Sequence, residues 1–360
     1  MTLVLIGIFV LYMQFSVEFK PGAQRMLSQR QGRIMRSISW IAGLFLMVWL
    51  PGLSASAQSE IPVVDSYTVD QRYTKNLPDY PEIRWPTLNL TAGQTIDFDR
   101  LYKEDDGRKL HVDVFGPARE LRNGKAVILI HGGAWRSGNK SHVFPLANLL
   151  AQRGYTVFTP EYRLSAEAPY PTGLVDINDL IVWVKANADD FEINPDAIAI
   201  AGGSSGGHMA ALLAYSADGP LFKSSVEDDT SVAALIDMDG VLTLTSEEAL
   251  RYENYAKERS GIGLWVGGAY ETLPGVWAEA SPVAHITAAA PRTLILSSGQ
   301  TRFTAGHDEV EAKLGALGVD YEFFSYEDLF HTFWLFEPYV SDVADKIDEF
   351  LGGELIDDED

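Results

Sequence analysis

Residues 198–207 read Ile198-Ala-Ile-Ala-Gly-Gly-Ser-Ser-Gly-Gly, and their reading decides the fold. Ile198 to Ile200 has the apolar character of a buried strand. Gly202 to Gly207 makes a tight turn poor in side chains, and His208-Met-Ala-Ala-Leu-Leu-Ala has the composition of a buried helix. A sharp strand-to-helix turn of the form G-x-S-x-G holds a serine in strained backbone geometry with its hydroxyl exposed, and the flanking glycines allow the close packing. Two serines satisfy the spacing, Ser204 between Gly202 and Gly206 and Ser205 between Gly203 and Gly207. Ser204 is the better nucleophile candidate, because Ala201-Gly202 then closes the strand and Gly206-Gly207 opens the helix. Ser205 would follow it and offer its backbone N–H to a developing oxyanion.

Outward from this turn, the bulk properties narrow the class. The chain has 360 residues, 46% of them apolar, with 31 Gly and 17 Pro, as expected of a globular α/β protein. It contains no cysteine, which excludes disulfides, thiolate metal sites and a thiol nucleophile. A formal net charge of −22 argues against nucleic acid and anionic membrane surfaces as partners. Neither G-x-x-x-x-G-K-[ST] nor G-x-G-x-x-G follows a strand, and no His/Asp cluster has ligand spacing, so no cofactor and no metal are expected.

The first 57 residues read as targeting sequence. Met35-Arg-Ser-Ile-Ser-Trp supplies a positive start, Ile41 to Leu50 an apolar stretch and Ala55-Ser-Ala57 a small-residue cleavage pattern. These define a secretory signal peptide over 35–57, cut between Ala57 and Gln58. The apolar run over 1–19 is read as lying upstream of the true start at Met26 or Met35, against the rival of a membrane-anchoring helix. Residues 1–57 hold five basic residues and one acidic, so a chain beginning at Gln58 carries 23 basic and 49 acidic residues, a net of −26. Export without cysteine suits a periplasmic or secreted protein with no stable membrane partner once the signal is removed.

Residues 58–105, rich at first in Pro, Tyr and polar residues, read as a loosely structured arm on the domain. From 106 to 352 apolar strands alternate with helical segments. Leu110 to Phe115 is expected as an edge strand, and Ala126-Val-Ile-Leu-Ile130 as a central one. Further strands are expected at Tyr155 to Phe158, Ala233 to Met238, Thr293 to Ser297 and Tyr321 to Phe324. Helices are expected at Leu146 to Arg153, Val175 to Asn187 (with Asp176, Asp179 and Lys185 on its wet side), Glu309 to Leu317 and Val340 to Leu351. This alternation gives a mostly parallel central sheet with helices on both faces, and the serine turn makes it an α/β-hydrolase fold. Residues 353–360 form an acidic solvated tail.

His131-Gly-Gly-Ala-Trp135, directly after a buried strand, supplies small residues whose N–H groups can converge on a developing oxyanion; Gly133 and Ala134 are the donors expected beside Ser205. His131 is expected to orient this loop by hydrogen bonding. The base should follow the last strand, where His331 stands, with His285 and His307 as rivals. In many hydrolases of this fold an Asp comes four residues into the loop after the next-to-last strand, here Thr293 to Ser297, but Ser298-Gly-Gln-Thr-Arg302 puts an arginine there. Asp308 is the first candidate in its place and Asp239 the second, ahead of Glu309 and Asp328.

His131-Gly-Gly-Ala-Trp, Pro160-Glu-Tyr-Arg-Leu and Gly202-Gly-Ser-Ser-Gly-Gly-His resemble the carboxylesterases of the hormone-sensitive-lipase and feruloyl-esterase-like α/β-hydrolases. Asp239-Gly, Trp277-Ala-Glu-Ala-Ser-Pro, Arg302-Phe-Thr-Ala-Gly-His-Asp and His331-Thr-Phe-Trp-Leu-Phe-Glu-Pro resemble a bacterial polysaccharide-esterase branch of acetylxylan or pectin acetyl esterases. The resemblance runs from about residue 105 to 350 and implies Ser204, His331 and an acid among the candidates above. Thr304 and His307 depart from the Arg-Phe-His-Ala-Gly-Arg-Asp usual in that branch, which bears on substrate contacts near Arg302.

Together these readings point to acetyl-ester hydrolysis on plant polysaccharide of xylan or pectin type. Trp135, Trp265, Trp277 and Trp334 are the rings expected near the site, Trp135 and Trp334 joining Arg302 as substrate contacts, because sugar faces stack on aromatics. The acidic balance favours neutral xylan or short oligosaccharides over polyanionic pectin. A general short-chain carboxylesterase or lipase, a feruloyl esterase, and a catalytically inactive binding module are the alternatives.

Overall fold

A computed structural model of the chain describes residues 61–65 and 67–352. The signal peptide, its cleavage site and the acidic tail lie outside the described residues. Eight strands form one sheet in the order β1-β2-β4-β3-β5-β6-β7-β8. They are β1 (Thr95–Asp105), β2 (Arg108–Gly116), β3 (Ala126–Ile130), β4 (Thr156–Pro160), β5 (Ile198–Gly203), β6 (Ala234–Met238), β7 (Arg292–Ser297) and β8 (Tyr321–Ser325). From β4 to β8 every neighbouring pair is parallel, and β1 and β2 extend the sheet antiparallel at one edge. Short apolar runs can form central strands because both faces are covered: β3, β5 and β6 are buried at every residue.

Two apolar cores flank the sheet. On one face Leu174, Ile177, Leu180 and Ile181 of helix Thr172–Ala186 pack with Met209 to Tyr215 of helix Ser205–Ser216. On the other, Leu146 and Leu150 of helix Phe144–Gln152 pack with Val340, Val343 and Ile347 of helix Tyr339–Gly352. The loops at the carboxyl ends of β3, β5, β6 and β7 therefore open on the same rim, where open α/β sheets bind ligands.

Three expectations need correcting. The edge strand is β1, not the segment around Leu110 to Phe115, which lies in β2 between β1 and β4. The region expected as arm thus contributes a strand, since β1 alternates well enough to pair along β2 despite two register shifts. Asp176 does not face water: it is fully buried and accepts from Lys103 Nζ (2.7 Å), Arg163 Nε (2.9 Å) and Arg163 Nη2 (2.7 Å), since a buried carboxylate needs partners.

The remainder of the arm is ordered as well. Helix Val69–Asn76 begins in a capping box, with Gln71 N–H donating to Thr68 Oγ1 (3.2 Å) and Thr68 N–H to Gln71 Oε1 (3.3 Å). Tyr73 packs on Phe336 and Trp85, and Tyr80 on Phe330. Tyr80 Oη donates to the Asp328 carbonyl (2.6 Å), and Arg84 and Glu337 exchange backbone hydrogen bonds. The arm is thereby fastened along residues 328–337, the loop that carries His331.

Candidate active site

β5 delivers the nucleophile candidate. Ser204 sits at φ 56°, ψ −125°, between β5 and helix Ser205–Ser216, and its N–H donates to the Met238 carbonyl (2.8 Å). The neighbouring glycines are sterically required. A Cβ on Gly202 would lie 2.3 Å from the Gly206 carbonyl group, and one on Gly203 would lie 2.3 Å from the Trp334 indole. The bend is thus held by β6 on one side and by the His331 loop on the other.

His331 Nε2 lies 2.8 Å from Ser204 Oγ, and His331 Nδ1 lies 2.9 Å from Asp239 Oδ2. The second oxygen of Asp239 accepts from the Ser298 N–H (2.8 Å), so the fully buried carboxylate is bound on both sides. Asp239 follows β6 at φ 53°, its N–H donating to the Leu296 carbonyl of β7 (2.9 Å). Below it, Asp237 Oδ1 accepts the Gly240 N–H (2.8 Å) and ties the turn together. Burial pushes the Asp237 carboxyl well above the usual carboxylate range, with the Asp239 charge adding in the same direction. The imidazole of His331 stacks on Phe303, centroids 3.6 Å apart and 10° from parallel, and meets the edge of Trp334 at 5.3 Å.

Asp308, the first acid candidate, does not meet His331. It opens helix His307–Leu317 with its side chain 91% exposed and pairs with His307 Nε2 at 2.9 Å. Glu309 pairs with Lys313 on the same helix, and the exposed Asp328 gives its carbonyl to Tyr80. The rival histidines are also accounted for elsewhere, His285 against the Glu279 carbonyl and His307 stacked on Phe323.

The glycine loop after β3 packs against the serine turn: a Cβ on Gly132 would fall 2.5 Å from the Gly203 carbonyl oxygen and 3.1 Å from Ser204 Cβ. Ala134, at φ 54°, and Ser205 line a cavity of 460 Å³ with Ser204 and His331. Gly133 does not line it. Its carbonyl accepts from Arg136 N–H, Ser137 N–H and Ser137 Oγ, and its φ of 140° makes the turn that presents Ala134. His131 is stacked on Tyr162 (4.6 Å) and donates from Nδ1 to the Gly132 carbonyl (2.9 Å). Burial pushes its pKa down to about 4, so the ring is neutral.

Tryptophans do not form platforms at the site. Trp135 touches the cavity, but one face is stacked on Trp265 (5.0 Å) and its indole N–H donates to His208 Nδ1 (3.3 Å). Trp265, Trp277 and Trp334 are buried, and Trp334 is spent on His331 and Gly203. Their apolar area is worth more inside the fold than against a ligand. Arg302 does line the cavity, with its guanidinium over Phe303 (4.3 Å) and 3.6 Å from Glu253, whose pKa burial raises. The remaining wall comes from residues the sequence reading passed over: Tyr67, Arg72, Lys75, Asn76 and Tyr80 of the arm, with Gln300, Phe303 and Phe330. Thr68-x-x-Gln71 was the signal for the arm helix, and Phe303 lay inside the quoted motif Arg302-Phe-Thr-Ala-Gly-His-Asp.

A largely parallel sheet with a serine on the β5 turn and an imidazole after β8 defines the class: the protein is an α/β-hydrolase esterase of the hormone-sensitive-lipase-like branch. More narrowly, the chain belongs to the BD-FAE family, whose model matches residues 112–303. It is 29% identical over 295 residues to the probable carboxylic ester hydrolase LipM of Mycobacterium tuberculosis, an alignment covering 76% of this chain and 67% of LipM. It is 30% identical over 243 residues to the esterase LipQ of the same organism, covering 64% of this chain and 56% of LipQ. The chain thus spans between about half and two thirds of these relatives. Among solved structures, the propionate-bound esterase Est2 of Thermogutta terrifontis superposes with a TM-score of 0.58 at 25% identity, covering 76% of this chain and 96% of Est2.

Proposed function

We propose that the protein is an exported serine carboxylesterase that removes acetyl groups from a carbohydrate, with Ser204 as nucleophile, His331 as base and Asp239 as its partner. The relay of 2.8 Å and 2.9 Å contacts from Ser204 through His331 to Asp239 carries this reading. Ser204 Oγ adds to the acyl carbonyl as His331 Nε2 takes its proton, while Asp239 holds Nδ1–H and steadies the imidazolium. The N–H groups of Ala134 and Ser205 receive the oxyanion. His331 then returns the proton to the departing sugar hydroxyl, and a water molecule repeats the sequence on the acyl-enzyme, releasing acetate and restoring Ser204. No cofactor enters this cycle.

Two observations support a short acyl group on a hydroxyl-rich alcohol. The cavity wall carries Arg72, Lys75, Asn76, Gln300 and Arg302, a lining suited to hydroxyls and poorly suited to a lipid chain. Est2, at 25% identity, holds propionate. The buried tryptophans favour the second reading, a general short-chain carboxylesterase, because they withdraw the ring faces a sugar chain would stack on. Acetate release from acetylated xylo-oligosaccharides, compared with turnover of 4-nitrophenyl acetate and butyrate, separates the two. A higher kcat/KM on butyrate, with no acetate from the oligosaccharide, refutes the carbohydrate reading. An organophosphonate adduct on Ser204 separates either reading from an inactive binding module. Export is tested by N-terminal sequencing of protein from the periplasm or medium, where Gln58 is the first residue expected.

A further inference from the structure

We infer that the arm gives the cavity an anion-binding subsite, so that the preferred ester bears a single carboxylate close to the acylated hydroxyl. This rests on the esterase reading above and deepens it. The cavity has two carboxylates in its wall, and each is already engaged: Asp239 by His331 and Ser298, Glu253 by Arg302. The same wall holds two further cations, Arg72 and Lys75, one turn apart on helix Val69–Asn76 and on the same side of it. Among the described residues neither has a carboxylate within 4.0 Å, whereas Lys103, Arg108, Lys140, Arg153, Arg163 and Lys185 are all paired. Arg72 is half-buried, its guanidinium lies 4.3 Å over the Tyr67 ring, and its Nε is buried with no hydrogen-bond partner.

A half-buried guanidinium and a neighbouring ammonium with no carboxylate partner, in a wall shared with the nucleophile, are what a ligand carboxylate would complete through charge-assisted hydrogen bonds to their accessible N–H groups. Burial raises the Tyr80 pKa and the nearby Asp328, Asp79 and Glu82 charges add to it, but none of these carboxylates lines the cavity. The chain around this subsite carries a net charge of −22. A long polyanion would meet that repulsion along its whole length, whereas a small monoanion meets the local field inside the cleft. The subsite therefore selects short, singly charged esters and rejects polyanionic chains.

The test compares 4-acetoxybenzoate with its neutral isostere 4-acetoxybenzamide. The double variant Arg72→Gln/Lys75→Gln is measured against wild type and against Arg119→Gln, an exposed cation outside the cavity. The ratio of kcat/KM for the anionic over the neutral ester is expected to fall about tenfold or more in the double variant, mostly through KM. Arg119→Gln is expected to keep the wild-type ratio, and Arg72→Lys to recover part of it. Salt at about 0.5 M should shrink the wild-type preference, as screening of a partly exposed pair requires. A ratio within about twofold of wild type in the double variant overturns the inference and leaves the esterase reading intact. Binding of 4-hydroxybenzoate against 4-hydroxybenzamide by calorimetry reads the same subsite without turnover, so failure of the esterase chemistry shows separately. Equal affinity of wild type for the two compounds also overturns it.

Discussion

Replacing Asp239 by asparagine tests the relay where sequence and structure part. The carboxylate has two tasks, since Oδ2 receives His331 Nδ1–H (2.9 Å) and Oδ1 receives the Ser298 N–H (2.8 Å). An amide has only one acceptor oxygen. Turned toward Ser298, it presents its NH₂ to His331, forces Nδ1 to accept and leaves Nε2–H pointing at Ser204, the wrong tautomer for a base. Turned toward His331, it sets an N–H against a buried backbone N–H, which costs about 1–3 kcal/mol. Either way the imidazolium loses its counter-charge, and loss of an equivalent aspartate in serine proteases lowers kcat by about 10⁴. We expect Asp239→Asn to lose about 10³–10⁴-fold in kcat on 4-nitrophenyl acetate with KM nearly unchanged. Asp308→Asn, altering an exposed side chain paired only with His307, should stay within about twofold of wild type. A large loss in Asp308→Asn beside a near-normal Asp239→Asn would refute the assignment.

Asp237 stands two residues away but should behave differently. Burial pushes its carboxyl well above the usual range and so favours the neutral form, which an amide nearly matches in shape; Asp237→Asn should keep kcat within about threefold and melt within a few degrees of wild type. Phe303→Ala removes the ring stacked 3.6 Å from His331 and should lower kcat about three- to tenfold, the weight of one aromatic pair, with an unchanged circular dichroism spectrum. His208 donates from Nε2 to the Ala280 carbonyl (2.9 Å), and burial pushes its pKa down to about 4. Because the unfolded state binds that proton more readily, this histidine's contribution to stability is complete above about pH 6.5 and is lost as the pH falls toward 4, with a slope of up to about 1.4 kcal/mol per unit. His131 adds a parallel loss. Melting temperature against pH should therefore fall less steeply between pH 6.5 and 4.5 in His208→Asn than in wild type. Equal slopes would show that the buried imidazole is not protonated only on unfolding.

Local patterning reached the strand-and-helix alternation and the serine turn because each depends on a few contiguous residues. Ser204, His331 and Asp239 were all among the residues singled out, yet Asp239 was ranked behind Asp308. That ranking looked for a carboxylate after β7, and only the sheet order shows that the end of β6, lying between β5 and β7, brings Asp239 beneath His331. The tryptophans misled for a related reason. Whether Trp135 faces a ligand or Trp265 is settled by a partner 130 residues further along the chain, and no window of sequence contains that pairing. The arm was misread from composition. Its prolines and polar residues suggested looseness, while a reciprocal cap at Thr68 and Gln71 and aromatic docking onto residues 330–336 set its conformation.

The docked arm also bears on how the protein can be cut and rebuilt. The family match ends at residue 303, before the imidazole, and begins at residue 112, after the arm. A fragment trimmed to those limits would keep the serine bend and lose both its base and the roof over its cleft. Conversely, the roof can be retuned only around its anchors: Tyr73 and Tyr80, which hold the loop carrying His331, would have to stay, while Arg72, Lys75 and Asn76 could be changed to alter which esters enter.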